Sequence, residues 1–177
     1  MPNMTLLPSG SSSVSGDWIP VGETTAHEAL ASNDDGTSYV KCDDNNETMI
    51  IEFANPSVAE GDIDTINSVQ FLSLGKSAHR TDPSVVSMSF EAPAGVAAYP
   101  ELCSYNPHRT NWETINGGIR TASDGVGGTA WTYSDLENLE MRCTKSLTVE
   151  VHLSFLALKV SYTEAVADNA TFFGANF

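Results

Sequence analysis

The side chains best suited to catalysis are scattered along the chain rather than grouped in motifs. The four histidines share no spacing typical of metal ligands: His27, His79, His108 and His152. There is no Gly-x-Ser-x-Gly nucleophile motif, and the glycine-rich run at 125–128 lacks the Lys-Ser/Thr of a phosphate-binding loop. His152 falls on the polar face of a predicted strand, as a surface histidine does. The sequence therefore predicts a protein that is not an enzyme and that carries no organic cofactor.

Two loops rich in oxygen atoms are the candidate metal sites. They contain Asp34 and Asp35 in one loop, and Asp43 and Asp44 in the other. Ca²⁺ binds about six to eight oxygen ligands, which loops of this kind supply. The first loop lacks the acid spacing and the closing glutamate of an EF-hand. The alternative is turn chemistry, in which Asp and Asn side chains hydrogen-bond to their own backbone. Both interpretations, a Ca²⁺ site and a capped turn, stay open at this point.

Aromatic residues are the candidates for binding. Aromatic faces stack on pyranose rings, so a sugar platform could be formed by some of Trp18, Trp112, Trp131, Tyr99, Tyr105 and Tyr133. More often, a tryptophan in a small β domain belongs to the core or to a protein interface. The last residues of the chain add Phe172, Phe173 and Phe177. Because exposed aromatic side chains on a free tail favour aggregation, we expect these three to be buried, either on their own domain or on a partner. Together with Trp18 they are the candidate interface residues.

The elements that must position any such site are strands, and the longest strand signal spans Leu147–Tyr162. Its apolar side chains fall on odd positions up to Phe155 and on even positions from Leu156 onward. Alternation with a period of two is typical of a half-buried strand. The change of parity predicts a β-bulge or a bend at this point, which turns the other face inward.

Shorter strand signals precede it, separated by turns. They are Ser38–Cys42, Glu47–Phe53, Asp64–Leu74, Ser84–Glu91 and a hairpin with an Asn116-Gly117 turn. Thr24–Leu30 could form one helical turn, and Ser134–Glu140 forms the clear one, with Ser134 as its N-cap. This spacing predicts an all-β fold, a jelly-roll β-sandwich with one short helix and extended terminal arms. We expect a flexible N-terminal arm (1–16), a β-sandwich (17–164) and a C-terminal tail (165–177).

Composition excludes several classes of partner. The 177 residues include 23 acidic and 8 basic side chains, which give a net charge of −15. Nucleic-acid binding needs a cationic surface, and anionic lipid repels an acidic protein, so neither partner is expected. No apolar run is long enough to span a membrane, and the N-terminus does not resemble a Sec signal peptide. The three cysteines are interpreted as buried side chains, with a single disulfide as the alternative.

Several motifs in the sequence resemble those of a known group. A leading Trp18 is followed by Asp-Gly-Thr-Ser-Tyr-Val at 35–40 and Ile-Asn-Ser-Val-Gln-Phe-Leu at 66–72. Trp131 then opens a Trp-Thr-x-x-Asp-Leu-x-x-Leu-Glu motif, and the last strand ends in Val-Ser-Tyr-Thr-Glu. This layout, over Trp18–Glu164, resembles small virion structural proteins of tailed bacteriophages, many of them marine. More loosely, it is similar to the galactose-binding-like (discoidin-type) jelly roll.

The resemblance implies a non-enzymatic virion protein, namely a capsid decoration (cement) protein on the outside of the phage head. Its implied partners are the major capsid protein and further copies of itself, as a trimer, and it is made in the host cytoplasm. The two terminal segments would reach neighbouring subunits. The alternatives are a tail or head-fibre component that contacts a host glycan, or a carbohydrate-binding module.

Overall fold

The chain folds into two antiparallel sheets in the residues described by the computed structural model: 1–15, 17–77, 85–91, 103–105, 111–123, 129–146 and 149–166. In chain order the strands are β1 (Asn3–Leu6), β2 (Pro8–Val14), β3 (Ile19–Val21), β4 (Tyr39–Cys42), β5 (Thr48–Phe53), β6 (Ile63–Ser77), β7 (Val85–Glu91), β8 (Cys103–Tyr105), β9 (Glu113–Arg120), β10 (Glu140–Ser146) and β11 (Val151–Glu164). The helices are α1 (Ala26–Ala31), a 3-10 turn (Glu60–Asp62) and α2 (Tyr133–Glu137). The predicted all-β jelly-roll sandwich is confirmed.

The two sheets face each other across one core. The first sheet has the order β3-β4-β11-β6-β9, with β1 also paired to β11, and the second has the order β2-β5-β10-β7-β8. Alternate side chains of both sheets are buried between them, among them Val69, Phe71, Leu156, Leu158, Met49, Ile51, Met88, Phe90 and Met141. Burying a side chain of this size stabilises the fold by roughly 1.5–3 kcal/mol relative to its exposed state. None of the helices in the described residues is long and apolar enough to cross a membrane.

The predicted change of parity in the last strand is a bulge at Ser154. The register of β11 on β6 shifts between Leu153 and Phe155, so that Ser154 has no opposite residue. Odd positions are buried before the bulge and even positions after it, as in Leu153 and Leu156. The buried Ser154 hydroxyl donates a hydrogen bond of 2.8 Å to the carbonyl oxygen of Ser38. The bulge prediction is therefore confirmed, one or two residues earlier than predicted.

The N-terminal segment differs from the predicted flexible arm, because it supplies a strand to each sheet. β1 pairs with β11, and β2 pairs with β5. Met4 and Leu6 are buried and alternate with exposed residues, which is the strand period that the serine- and glycine-rich composition of 1–16 obscured. The backbone of Leu7, between the two strands, accepts a hydrogen bond of 2.8 Å from Ala54. Of the predicted tail 165–177, only 165 and 166 are among the described residues.

Two local predictions are corrected by tertiary contacts. Asn116-Gly117 is not a hairpin turn but an irregularity inside the single strand β9, where the register on β6 shifts. A Cβ at Gly117 would lie 2.7 Å from Cδ1 of Phe71, so glycine here permits close packing rather than a turn. The N-cap of α2 is Thr132, which exchanges hydrogen bonds with Asp135, and not Ser134. Trp131, just before this cap, bridges to Ile66 of β6 and so fixes where the helix begins.

Candidate functional site

The predicted interface residue Trp18 is a core residue. Only 2% of its surface is exposed, and it belongs to the single cluster of buried side chains between the sheets. The prediction that Trp18 contacts a partner is therefore wrong, because its indole is already covered by its own domain. Phe172, Phe173 and Phe177 lie outside the described residues, and their place in an interface stays a prediction.

The first acidic loop shows the turn chemistry that was the alternative to a metal site. One carboxylate oxygen of Asp34 accepts a hydrogen bond of 3.1 Å from the backbone of Thr37, and the other accepts one of 2.9 Å from Ser38. Partial loss of solvent raises the pKa of Asp34, but the hydrogen bonds from Ser38, Thr37 and Gly36 outweigh it and hold the pKa below its usual value. Asp35 is exposed, with a φ of 57°. This carboxylate pair is thus divided between a backbone cap and solvent.

The second acidic loop closes over a buried lysine. Lys145 of β10 has no exposed surface, and its ammonium group donates to the carbonyl oxygens of Asp43 (2.8 Å) and Asp44 (2.7 Å). The two carboxyl groups belong to exposed residues. A hydrogen bond shared with Asp44 raises the pKa of Asp17, as expected where like charges crowd. Ca²⁺ binding in either loop stays a prediction; in the described part of the chain no three His, Cys, Asp or Glu side chains form a metal-binding group.

Several residues of the predicted sugar platform are buried or make contacts within the domain. Trp131 is 5% exposed, donates from Nε1 to the Arg120 carbonyl at 3.1 Å and meets Phe90 edge-on. The hydroxyl group of Tyr133 donates to the carbonyl oxygen of Val58 at 3.0 Å. Tyr99 and the side chain of Tyr105 lie outside the described part of the structure. Trp112 is the predicted platform residue that the structure places in a half-exposed aromatic group.

Trp112 is part of what we call the aromatic–lysine cluster, which consists of Tyr39, Lys76, Trp112 and His152. The rings of Tyr39 and His152 are stacked, with centroids 4.8 Å apart and an angle of 24° between planes. Trp112 approaches Tyr39 edge-on, with ring centroids 5.9 Å apart, and its ring is tilted by 46° to that of His152 at 6.3 Å. The ammonium group of Lys76 lies 4.4 Å from the centroid of Trp112 and 5.7 Å from that of Tyr39. These are cation–π distances, and all four side chains are half-buried rather than covered.

Strand register brings these four residues together. On β11, His152 stands directly between Lys41 of β4 and Lys76 of β6. Their sequence neighbours on these strands, such as Val40 and Val151, are buried, so the cluster lies on the outward face of the first sheet. Trp112 immediately precedes Glu113, which is opposite Gly75, the residue before Lys76. The cluster is thus built on the three adjacent strands β4, β11 and β6 and on the residue that precedes β9, which makes it a rigid site.

The turn before β4 packs against the indole of Trp112. Gly36 has a φ of +85°, a conformation that residues with a side chain rarely adopt. A Cβ at Gly36 would overlap Nε1 and Cε2 of Trp112, so the glycine backbone packs directly against the indole. The Asp-Gly-Thr-Ser-Tyr-Val motif therefore has a physical function: its glycine supports Trp112 and its tyrosine supplies a ring.

Glu150 and Lys41 complete the cluster at one side. The Glu150 carboxylate is 2.6 Å from Nε2 of His152 and 3.7 Å from the ammonium group of Lys41. Burial lowers the pKa of His152 and outweighs the opposing effect of Glu150. Its buried Nδ1 has no hydrogen-bond partner among the described residues, as suits a neutral imidazole that donates from Nε2 to the carboxylate. Partial burial raises the pKa of Glu150, but the contacts with His152 and Lys41 lower it by more than burial raises it. The net pKa is below its usual value, so this carboxylate is ionised at neutral pH.

Sequence analysis missed three members of the cluster. Tyr39 and Lys76 were not candidates, and His152 was interpreted as a plain surface histidine. Its position on the polar face was correct, but its stacking on Tyr39 was not foreseen. The available signal was alternation: Tyr39 and Lys41 flank the buried Val40, which marks them as outward-facing neighbours on one strand.

A concave region lies at the opposite end of β6, about 35 Å along the strand from Lys76. This cleft of about 310 Å³ is lined by residues that include Asp64, Thr65, Trp131, Thr132 and Tyr133. Trp131 is buried, and the hydroxyl group of Tyr133 already donates a hydrogen bond to the carbonyl oxygen of Val58. The cleft thus offers backbone and carboxylate groups but little free aromatic surface, and the aromatic–lysine cluster is the better candidate for binding.

Comparison with known proteins gave matches only among solved structures, because no protein-family model and no curated protein matches the chain. One similar structure is the C-terminal CBM6 of a marine laminarinase from Zobellia galactanivorans, with 10% identity over 90% of this chain and 100% of that chain and a TM-score of 0.49. A second is the CBM6 module of Cellvibrio mixtus lichenase 5A in complex with cellotriose, with 12% identity over 90% and 97% and a TM-score of 0.47.

A third is the family 11 carbohydrate-binding module of Clostridium thermocellum in complex with a β-1,3-1,4-mixed-linked tetrasaccharide. It is 13% identical over 89% of this chain and 86% of that chain, with a TM-score of 0.45. All three are carbohydrate-binding modules, but sequence identities of 10–13% and TM-scores below 0.5 do not carry their function over to this chain.

Proposed function

We propose that this chain is a non-catalytic glycan-binding β-sandwich whose binding site is the aromatic–lysine cluster. The observation that carries the proposal is the convergence of two aromatic rings and an imidazole on the outward face of the first sheet, half-exposed and flanked by charged side chains. Aromatic surface of this kind packs against the apolar C–H face of a pyranose. Lys41, Lys76 and Glu150 supply donors and acceptors for sugar hydroxyl groups beside it.

The rigidity of the cluster supports binding rather than catalysis. Its side chains stand on paired strands and contact one another, so little side-chain entropy is lost when a ligand binds. The carboxylate of Glu150 is held by His152 and Lys41 and is ionised, which suits a hydrogen-bond acceptor and not a general acid.

The capsid-decoration role inferred from resemblance stays a prediction. Of its expected contact residues, Trp18 is buried in the core, and the three C-terminal phenylalanines lie outside the described residues. The same holds for the trimer, the major capsid protein as partner and the location on the capsid exterior. A glycan-contacting tail or head-fibre protein is the form of that prediction that agrees with the proposed site.

Glycan-array screening followed by titration calorimetry tests the proposal. Wild type should bind at least one class of saccharide, and Trp112→Ala should weaken that binding by at least about tenfold, since aromatic anchors dominate such contacts. Ile119→Ala is the matched control: Ile119 is a 63% exposed apolar side chain on β9, the strand that follows Trp112. The control should bind like wild type.

Two results would refute the proposal. One is the absence of any saccharide binding by the folded wild type. The other is wild-type affinity in Trp112→Ala, with an unfolding midpoint that shows the variant to be folded. Binding that is lost equally in Ile119→Ala would instead place the site elsewhere on the sheet.

A further inference from the structure

Lys76 of the cluster and Lys41 beside it have the opposite sign to the net charge of the chain. The protein has 23 acidic and 8 basic residues, yet Lys41 and Lys76 face outward on either side of His152 in one cross-strand row. Two cations thus face outward close together on an otherwise acidic protein, and the carboxylate of Glu150 lies beside one of them, Lys41.

The two lysines differ in how their charge is satisfied. Lys41 lies 3.7 Å from the carboxylate of Glu150, which also holds His152. The side chain of Lys76 forms no ion pair and no hydrogen bond within the described residues; its ammonium group lies over the rings of Trp112 and Tyr39. An ammonium group has three N–H donors and no acceptor, and an aromatic face is a weaker partner than an anion. Lys76 therefore presents a partly desolvated positive charge directly beside the aromatic surface.

We propose, on the basis of the glycan-binding function above, that the saccharide bound here carries an acidic substituent, a carboxylate or a sulfate, which Lys76 binds while the pyranose ring packs on Trp112 and Tyr39. The ammonium group lies over Trp112, 4.4 Å from its centroid, so a sugar that packs on this face would move the flexible lysine side chain to the edge of the ring, where Nζ can still reach the substituents of the sugar. Hydrogen bonds between charged partners are roughly twice as strong as those between neutral ones, which gives the acidic sugar the advantage.

The net charge of −15 does not oppose this selectivity at close range. At physiological ionic strength, charges are screened over about 8 Å, so most surface carboxylates act weakly on a ligand at the cluster. Within that distance, Lys76 is the cation for which no carboxylate partner is found in the described residues. Local contacts therefore decide which sugar binds, and the overall charge mainly slows the approach of an anion.

Calorimetric titration with three polysaccharides tests the inference: polygalacturonate, a sulfated galactan and a neutral β-glucan. Wild type should prefer one or both acidic polymers. Lys76→Met, which keeps the aliphatic stem, should lose about tenfold or more of that affinity, and Lys76→Arg should keep most of it. Lys159→Met is the matched control, since it removes the same charge from an exposed position on β11, about 20 Å away.

The outcomes separate this inference from the proposed function. Preference for the uronate or for the sulfated polymer supports the inference and identifies the acidic group. Equal binding of the neutral glucan, unchanged in Lys76→Met, overturns the inference but leaves glycan binding intact. Equal losses in Lys76→Met and Lys159→Met also overturn it, because overall charge then explains the effect. Failure of all three polymers to bind overturns both, and the preference of wild type gives an answer even if a variant does not fold.

Discussion

The contact between the backbone of Gly36 and the indole of Trp112 can be tested directly by substitution. In Gly36→Ala the new methyl group would overlap the indole of Trp112, and the residue would have to keep a φ of +85°. The indole must therefore move away from the turn, or the turn must change its conformation. Either change separates Trp112 from Tyr39 and from Lys76.

Two other glycines allow the backbone cost and the steric cost to be measured separately. A left-handed residue with a side chain costs about 1–2 kcal/mol, and this applies equally to Gly22, with a φ of +87°. A Cβ at Gly22 would approach the Ser38 hydroxyl oxygen and the Thr37 carbonyl oxygen at 3.1 Å, which is a tight contact but not an overlap, whereas overlap with a ring costs about 1–3 kcal/mol more. We therefore expect Gly36→Ala to lower the free energy of unfolding by about 2–5 kcal/mol and Gly22→Ala by about 1–2 kcal/mol. A Cβ at Gly61 would have no atom of the described residues within 4 Å other than its chain neighbours, so alanine there should have almost no effect.

Urea unfolding and tryptophan fluorescence measure the two consequences. Trp18 and Trp131 are 2% and 5% exposed, so acrylamide quenching in the folded protein reports mainly on Trp112. Gly36→Ala should increase quenching and abolish the binding attributed to the cluster, while Gly22→Ala should change neither. If Gly36→Ala is no less stable than Gly22→Ala and its quenching is that of wild type, the indole is not seated on this turn and the account of the site is wrong.

Three further predictions follow from buried polar groups. Ser154→Ala leaves the carbonyl of Ser38 without its 2.8 Å hydrogen bond and should cost about 1–3 kcal/mol in urea unfolding, whereas Ser161→Ala on the same strand should be nearly neutral. Lys145→Met removes two charged hydrogen bonds from a fully buried position and should lower the free energy of unfolding by about 3 kcal/mol. This loss corresponds to a Tm lower by about 6–12 °C in calorimetry, and an unchanged Tm would show that these hydrogen bonds do not stabilise the fold. Because burial lowers the pKa of His152, the unfolded state binds a proton more readily, so the free energy of unfolding should fall as pH drops from above about 6.5 through the lowered folded-state pKa. His152→Gln should flatten that decline, and an identical pH profile in the variant would refute the assignment.

The strands could be predicted from sequence because alternation is local. Four signals ending in Leu74, Phe53, Cys42 and Glu91 correspond to β6, β5, β4 and β7 within a few residues. The parity change in the last strand even located the bulge, since a bulge is what reverses the faces of a strand. Where tertiary contacts decide, local signals failed: Asn116-Gly117 has the composition of a turn, but Phe71 packs on its glycine.

The candidate site could not be predicted because it depends on register between strands distant in sequence. Alternation shows that Tyr39 and His152 face outward, but not that their rings meet across two strands 113 positions apart. The indole of Trp112 also had to be distinguished from two that are buried, Trp18 and Trp131, and composition does not separate them. A pairing register is set by the whole sheet, so this part of the site is visible only in the folded chain.

The acidic turn and the bulge, which the sequence suggested separately, act on the same residue of the site. The amide of Ser38 donates to Asp34 at 2.9 Å, and its carbonyl accepts from Ser154 at 2.8 Å. Ser38 is thus held from both sides, and it directly precedes Tyr39, whose ring stacks on His152. The bulge also separates two parts of β11: before it β11 pairs with β4, and after it with β1. The feature that lets β11 bury both of its faces in turn therefore also fixes the orientation of Tyr39, so that core packing and site geometry depend on one hydrogen-bonded residue.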